Sequence, residues 1–371
     1  MNDCLLQLND AFRMFKRAFK KHFVPFKRYK GSPEQISKSI IKDSFKKYFR
    51  VSSGHFSQFY ARDFGMVCEA LINLGYKKKV RRTLIYAMNR YVEAGKITTQ
   101  ISPEGKPFNF PNTTPESAAY MLHSLLILND KELIIAYSSF FEKIAKQIYE
   151  KDIDKKTGFI RKDRHFSSMK DHSLTVSDCY LNSMLGMFSN DLKKAKINSE
   201  LTDYNYSKIL KKYFWKKDYF IEDLSGRNII SGDANVFPFW TGVITDKNML
   251  RKAVLTIKRL NLDKPWPLKY TRKEDVPKKM HFADIFAYGY EHDTVWMHLG
   301  ICYLKVLENH DRNLLRMHLE QYYRLIKKHK NFLEVYFPDG KPFRRFAYVT
   351  DESMIWVAGF LDLYNKHILA L

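Results

Sequence analysis

Charged residues stand at the predicted starts of two apolar helices in this sequence. Arg62 and Asp63 open one apolar segment, and Glu116 follows Thr114-Pro115, an N-cap and a proline typical of a helix start. Charges beside apolar residues are costly to desolvate unless they have a task. Arginine offers only donors and a carboxylate only acceptors, so Arg62 and Asp63 could clamp sugar hydroxyls. Asp63 and Glu116 could equally be first-turn carboxylates that stabilise a helix N-terminus.

Aromatic residues beside polar ones form a second pattern. One segment runs from Asp233 to Trp240, and another from Glu291-His292 to Trp296. A sugar site needs flat apolar faces for the ring and polar atoms for the hydroxyls, and these segments supply both. The alternative is that the two tryptophans are buried core residues.

Six short blocks occur in a fixed order between residues 55 and 360, and together they resemble the conserved blocks of the six-hairpin (α/α)6 glycoside hydrolases. That superfamily includes glucoamylases, neutral invertases and the glucosidase part of glycogen-debranching enzymes. The blocks are Tyr60-Ala61-Arg62-Asp63, Phe110 to Leu122, Gly158 to His172 with the following Asp178 to Leu185, Gly232 to Trp240, Tyr288 to Trp296, and Phe332 to Gly340 with the following Thr350 to Trp356.

The resemblance implies roles for residues at the matching positions. Glu116 would be the general acid and Glu334 the general base, with Glu352 as a rival for the base. These enzymes mostly invert, which requires one carboxylic acid to protonate the leaving oxygen while a carboxylate on the other face activates water. The expected substrate is an α-linked glucoside, and no metal or organic cofactor is implied. The positions expected to bind the sugar are Tyr60, Arg62, Asp63, Asp171, His172, Asn182, Asp233, Trp240, Glu291, His292, Trp296 and Glu352.

Apolar residues recur mainly at the helical period, and short extended pieces are expected only near 97–110 and 332–346. The pattern predicts an all-α, single-domain (α/α)6 toroid, with residues 1–50 as a helical segment packed on a catalytic ring of residues 51–371. Long alternate linkers should gather at one end of the ring and hold the active site. The predicted helices are 3–22, 35–48, 57–74, 77–94, 115–128, 131–150, 173–189, 205–213, 233–242, 246–260, 291–307, 312–329 and 351–369.

Composition limits the other classes of protein. Lys and Arg number 63 against 40 Asp and Glu, a net charge of +23, but the basic residues form pairs and triplets typical of solvated helix faces. Four widely spaced cysteines predict neither a zinc site nor a disulfide framework, which favours a reducing, cytoplasmic location. The amphipathic N-terminus is unlike a signal peptide, and no apolar run is long enough to span a membrane. The oligomeric state stays open.

Three other functions remain compatible with the sequence. A sugar epimerase on the same ring would use histidines, and His172, His281, His292 and His298 are available. A polysaccharide lyase is a third enzymatic option. A basic binding protein for nucleic acid or an anionic surface is the non-enzymatic one, although the sequence has no zinc finger, RNP motif or glycine-rich phosphate loop, so we expect a carbohydrate substrate and no nucleic acid.

Overall fold

The computed structural model describes residues 3–276, 282–285 and 287–369. This part of the chain contains thirteen α-helices, one for each predicted segment. Three of them begin six residues later than expected, at 179, 297 and 357 instead of 173, 291 and 351, because polar loop residues precede each one. The helices are α1 (Asp3–Phe23), α2 (Pro33–Ser44), α3 (Ala61–Leu71), α4 (Lys77–Ala94), α5 (Glu116–Leu128), α6 (Lys131–Lys151), α7 (Cys179–Ala195), α8 (Tyr206–Tyr213), α9 (Gly232–Trp240), α10 (Lys247–Arg259), α11 (Met297–Leu307), α12 (Arg312–His329) and α13 (Val357–Tyr364).

Local sequence signals fix the ends of many helices. Ser32 caps α2 in a reciprocal capping box with Gln35, and Pro33 is its first residue. The Asp178 carboxylate accepts the Leu181 N–H at 2.7 Å and so caps α7. Such caps satisfy backbone N–H groups that have no partner inside the helix, and they set where each helix begins.

Six helices form a closed inner ring. Each of α3, α5, α7, α9, α11 and α13 contacts the next, and α13 returns to α3. A second set packs outside, because α4, α6, α8, α10 and α12 each contact the inner helix that precedes them. The remaining outer position belongs to α2, which packs against α13 and α12. The prediction of an (α/α)6 toroid is therefore confirmed.

Inner and outer helices differ in how they are buried. In α11 every residue except Lys305 is buried, as expected for a helix enclosed by protein on all sides. Outer α12 has one buried face, and its Lys327 and Lys328 are exposed. At Gly300 in α11 an added Cβ would lie 2.4 Å from the Pro267 carbonyl oxygen, so the close approach of this loop requires a glycine.

Short strands connect the loops before the inner helices. β1 (Phe59–Tyr60), β2 (Gln100–Ile101) and β3 (Pro107–Phe108) form one antiparallel sheet. β4 (Trp215–Lys216) pairs with β5 (Tyr219–Phe220), and β6 (Val295–Trp296) pairs with β7 (Val335–Tyr336). The extended pieces expected near 97–110 and 332–346 are thus present.

The first helix lies outside the ring. Arg17 and Lys21 of α1 pair with Glu352 at 2.7 and 2.6 Å, which ties α1 to the loop before α13. The division of the chain at residue 50 stays a prediction, and the contacts of α2 make that helix part of the ring. The described cysteines, Cys68, Cys179 and Cys302, are buried and free. None of the described helices is long and apolar enough to cross a membrane.

Candidate active site

The N-terminal ends of the inner helices meet at one end of the ring. Arg62 and Asp63 lie in the first turn of α3, and Glu116 is the first residue of α5. The Arg62 Nε donates to Glu116 Oε1 at 2.7 Å, which joins α3 to α5. The Trp356 indole, just before α13, donates to Asp63 Oδ1 at 2.9 Å. Two hydrogen bonds therefore join the start of α3 to α5 and to the residue before α13.

Glu116 is a buried carboxyl with one oxygen unoccupied. Its side chain is 1% exposed, and Oε2 accepts no hydrogen bond from the described residues. Burial raises the pKa of Glu116 to about 7, against the opposing effects of Arg62 and the nearby Tyr180. A pKa of about 7 keeps part of the Glu116 carboxyl protonated near neutral pH.

Arg62 connects Glu116 to a second acidic residue. Its guanidinium donates to the Ser168 carbonyl oxygen and pairs with Asp171 at 3.3 Å. The Asp171 side chain is 31% exposed, whereas Glu116 is enclosed. Burial raises the pKa of the neighbouring Asp63 to about 6, although the positive charge of Arg62 opposes this shift. Arg62 thus holds the carboxylates of Glu116 and Asp171 in fixed positions.

Glu291 anchors the loop that carries Asp171. Its two oxygens accept the backbone N–H groups of Asp171 and His172, at 2.8 and 2.7 Å. Burial raises the pKa of Glu291 to about 7, while His172 opposes the shift. With its oxygens occupied by the backbone, Glu291 positions Asp171.

Glu334 lies in a cage of donors beside the start of α11. The Tyr290 hydroxyl donates to Oε1, the Tyr348 hydroxyl is 3.0 Å from both oxygens, and the Asp351 N–H donates to Oε2 at 2.8 Å. The Glu334 backbone carbonyl accepts the Met297 N–H, which fixes it to α11. Burial and the charge of Asp351 raise the pKa of Glu334 to about 8, and the donors oppose that shift.

Glu352, the rival for the base, faces α1. Besides Arg17 and Lys21, its carboxylate accepts the Lys27 N–H and the Asn331 amide at 3.2 Å. Two cations and two further donors therefore contact the Glu352 side chain. Glu352 is thus bound to two cations of α1, whereas the tyrosine hydroxyls and the N–H group that contact Glu334 are neutral.

Aromatic rings line the region between Glu291 and α13. The Trp296 ring lies 4.5 Å from Tyr290 and 5.0 Å from His298, and the His298 ring lies 4.7 Å from Trp356, as centroid distances. Burial lowers the pKa of His298, so it is neutral. Its Nε2 contacts the Tyr270 hydroxyl at 3.0 Å. Trp296 is thus a buried core ring that packs against Tyr290, one of the donors to Glu334.

Some predicted site residues lie elsewhere or are occupied. The Tyr60 hydroxyl contacts Gln58 at 3.1 Å, on the side of α1. Trp240 ends α9 and packs on Phe237 and Tyr120, so the structure does not bring it to the carboxylates. The Asn182 amide binds Ile160 N–H and two groups at the start of α7.

Asp233 and His292, two other predicted site residues, each have a buried polar atom that forms no hydrogen bond with the described residues. Asp233 is buried in the first turn of α9, and its Oδ1 has no hydrogen-bond partner among the described residues. His292 lies 3.5 Å from Asp284, which His172 approaches at 3.8 Å.

His281, a candidate for epimerase chemistry, lies outside the described residues. No group of three or more His, Cys, Asp or Glu that could hold a metal occurs in the described ranges.

Sequence reasoning missed the residues that surround the carboxyls. Tyr290 stood beside the predicted Glu291, but its contact with Glu334 crosses more than forty positions. Tyr348 and His55 form a further link, with the His55 Nε2 3.0 Å from the Tyr348 hydroxyl. No motif in the sequence marks Tyr348 or His55.

The ring of six helical hairpins, with acidic residues at the inner helix starts, is the fold of the six-hairpin glycoside hydrolases. Among solved structures, a family 63 mannosylglycerate hydrolase from Thermus thermophilus in complex with glucose is 10% identical, with a TM-score of 0.62 over 90% of this chain and 100% of that one. A rhamnosidase from Klebsiella oxytoca with rhamnose bound is 9% identical, with a TM-score of 0.66 over 91% of this chain and 63% of that one.

A glycosidase variant in complex with glucose is 10% identical, with a TM-score of 0.62 over 98% of this chain and 99% of that one. No protein-family model and no curated protein matches the sequence. At these identities the similarity establishes the fold.

Proposed function

We propose that this protein is a glycoside hydrolase that cleaves its substrate with inversion, with Glu116 as general acid and Glu334 as general base. The observation that carries the proposal is the pair of buried carboxyls with raised pKa at one end of a ring shared with glycosidases. They are linked through Arg62, Asp171 and the Glu291-Tyr290 segment.

The acid must protonate the oxygen of the departing alcohol. Glu116 suits this step because its pKa of about 7 keeps a protonated fraction at neutral pH, and none of the described residues donates a hydrogen bond to its Oε2. Arg62 fixes Oε1, so the carboxyl cannot rotate freely. As the glycosidic bond breaks, the proton passes from Glu116 to the leaving oxygen, and the resulting carboxylate is stabilised by Arg62.

The base must remove a proton from water on the opposite face of the sugar. The ionised form of Glu334 is supported by two tyrosine hydroxyls and one N–H group. When a water molecule attacks the anomeric carbon, its proton passes to Glu334, whose pKa of about 8 makes it a strong base for a carboxylate. Water enters from the face opposite the leaving group, so the product has the inverted configuration.

The substrate is proposed to be a hexoside, with an α-glucoside as the first choice. Arg62, Asp63 and Asp171 provide donors and acceptors for sugar hydroxyls. The resemblance to glucoamylases and debranching enzymes supports glucose in the first subsite, and two of the similar structures hold glucose.

Asp171 is the second candidate for the acid. It contacts the same guanidinium, and at 31% exposure it is the more accessible carboxylate. Substrates with different leaving groups distinguish the two assignments. A variant that lacks the general acid keeps its activity on glycosyl fluorides, because fluoride departs without being protonated. Glu116→Gln should lose O-glycoside hydrolysis and keep fluoride hydrolysis. The same behaviour from Asp171→Asn, with a fully active Glu116→Gln, would transfer the role to Asp171.

The proposal is tested by screening α- and β-glycosides with wild type, Glu334→Gln and Glu352→Gln. Loss of turnover in Glu334→Gln, with turnover retained in Glu352→Gln, is the expected result. Full activity in both Glu116→Gln and Glu334→Gln would reject hydrolysis by these carboxyls. Sugar epimerisation, or an ultraviolet-absorbing unsaturated product, would assign the chemistry to an epimerase or a lyase instead.

A further inference from the structure

The first helix presents its apolar side to solvent. The side chains of Leu5, Leu8, Phe12, Phe15, Phe19 and Phe23 are between 42% and 76% exposed. Their spacing of three and four residues puts them on one face of α1, within an arc of roughly 80° at 100° per residue. The stripe spans eighteen residue steps from Leu5 to Phe23 and is therefore about 27 Å long. Single exposed apolar residues are ordinary, but a continuous stripe of this length indicates an interaction surface.

The opposite face of α1 is fixed to the protein. Arg17 and Lys21 pair with Glu352, and Arg13 donates to Gln58 at 3.0 Å. Gln7 donates to the Asn109 carbonyl oxygen at 2.7 Å. Turning the phenylalanines inward would break these contacts and leave Glu352 buried without its cations. The outward orientation of the apolar stripe is therefore built into the structure.

A neighbouring loop extends the same surface. Phe346 is 78% exposed, and its ring lies 6.5 Å from Phe15. The His22 ring contacts the Phe346 carbonyl oxygen at 3.2 Å, and Arg344 donates to the Lys21 carbonyl oxygen. The loop is therefore attached to the end of α1. We call the six side chains of α1 together with Phe346 the apolar stripe.

The charge around the apolar stripe is positive. Lys16 and Lys20 are exposed along its edge, and the exposed Arg344 and Arg345 directly precede Phe346. No Asp or Glu occurs between Ala11 and Gly31. Of the eight basic residues there, Arg13, Arg17, Lys21 and Lys27 pair with acidic groups elsewhere, and the others are Lys16, Lys20, Arg28 and Lys30. A second copy of this chain is a poor partner, since it would bring the same lysines together on a protein of net charge +23.

We propose that α1 and the Phe346 loop form a docking surface for an anionic lipid bilayer. Such a surface offers hydrocarbon for the phenylalanines and negative headgroups for Lys16 and Lys20, and helices of this composition lie in the plane of the interface. The helix binds along its length and does not cross the bilayer. This inference is independent of the proposed hydrolase activity.

Co-sedimentation with vesicles tests the proposal on the full chain. Vesicles of phosphatidylglycerol and phosphatidylcholine should bind the wild type, and vesicles of phosphatidylcholine alone should bind it at least roughly tenfold more weakly. Phe12→Ser with Phe19→Ser should weaken binding to the anionic vesicles by at least roughly tenfold, because each ring is withdrawn from hydrocarbon. Lys16→Glu with Lys20→Glu should also reduce binding, by roughly tenfold or more. Ile135→Ser, at another exposed apolar position on α6, is the matched control and should bind like wild type.

A second variant separates insertion from surface adsorption. In Phe19→Trp the indole emission should shift to shorter wavelength with anionic vesicles and should be quenched by brominated acyl chains. Equal binding by wild type and the double phenylalanine variant, or an indole that stays accessible to aqueous quenchers on bound vesicles, would overturn the proposal. The proposal would also be overturned if the protein did not bind vesicles and instead formed a dimer that the phenylalanine substitutions dissociate. A second copy would then cover the apolar stripe.

Discussion

Replacing Tyr348 by phenylalanine tests whether Glu334 is the base. The Tyr348 hydroxyl lies 3.0 Å from both oxygens of Glu334 and supports its ionised form. A hydrogen bond to a charged group contributes about 1.5–3 kcal/mol, and 1.36 kcal/mol corresponds to one pKa unit. Tyr348→Phe should therefore raise the pKa of Glu334 above its value of about 8 by roughly one to two units.

The expected consequence is a shift of the pH profile. In wild type, Glu116 must be protonated and Glu334 ionised, so kcat/KM should peak between pH 7 and pH 8 and fall on both sides. In Tyr348→Phe activity at pH 7 should fall roughly tenfold or more, and the optimum should move to higher pH.

The assay is kcat/KM against pH on a substrate found in the screen, together with a carbon NMR titration of glutamate-labelled protein. Tyr323→Phe, on the outer helix α12, is the matched control and should leave both readouts unchanged. An unchanged optimum in Tyr348→Phe, with the fold intact, would refute the assignment of Glu334 as the group that must be ionised.

Three further predictions concern stability and positioning. Because the pKa of Glu334 is raised from 4.5 to about 8, its contribution to stability is fully present below the unfolded value and is lost as pH rises through the folded one. Glu334→Gln should therefore match wild type in urea unfolding at pH 4 and be more stable above pH 8, by as much as about 5 kcal/mol; a constant difference across pH would contradict this. Gly300→Ala should lower the free energy of unfolding by about 1–3 kcal/mol, because its Cβ would meet the Pro267 carbonyl oxygen; a thermal melt like that of Ser138→Ala, on outer helix α6, would argue against the packing. Arg62→Lys keeps the charge but cannot bond Glu116, Asp171 and the Ser168 carbonyl together, so kcat/KM should fall roughly 100-fold with the fold retained; wild-type kinetics would show that the guanidinium fork is dispensable.

The helices were predictable because burial leaves a periodic pattern in the sequence. Outer helices such as α10 and α12 alternate buried and lysine-rich faces, and each gave a segment within one residue of its observed limits. The starts of α7, α11 and α13 were placed too early, because the polar loops before them also contain apolar residues such as Val176, Val295 and Ile355, which continue the pattern. The role of α2 as an outer helix beside α13 depends on contacts between the two ends of the chain, which periodicity does not encode.

The candidate site was predictable only where polar residues sit at helix starts. Arg62, Asp63 and Glu116 stood out because each opens an apolar helix, and in the structure Arg62 contacts Glu116 while Asp63 contacts Trp356. Trp240 stood in a similar motif but ends its helix, so it lies apart from the carboxylates. Tyr348 reaches Glu334 through the fold of a loop, and no local signal in the sequence marks such a contact.

The most direct measurement is the configuration of the first-formed sugar product, followed by proton NMR from the earliest time points of hydrolysis. Paired action of an acid and a base on opposite faces of the sugar predicts that an α-glucoside releases β-glucose before mutarotation. Release of α-glucose would contradict the account, because retention requires a covalent intermediate on one of the two carboxylates.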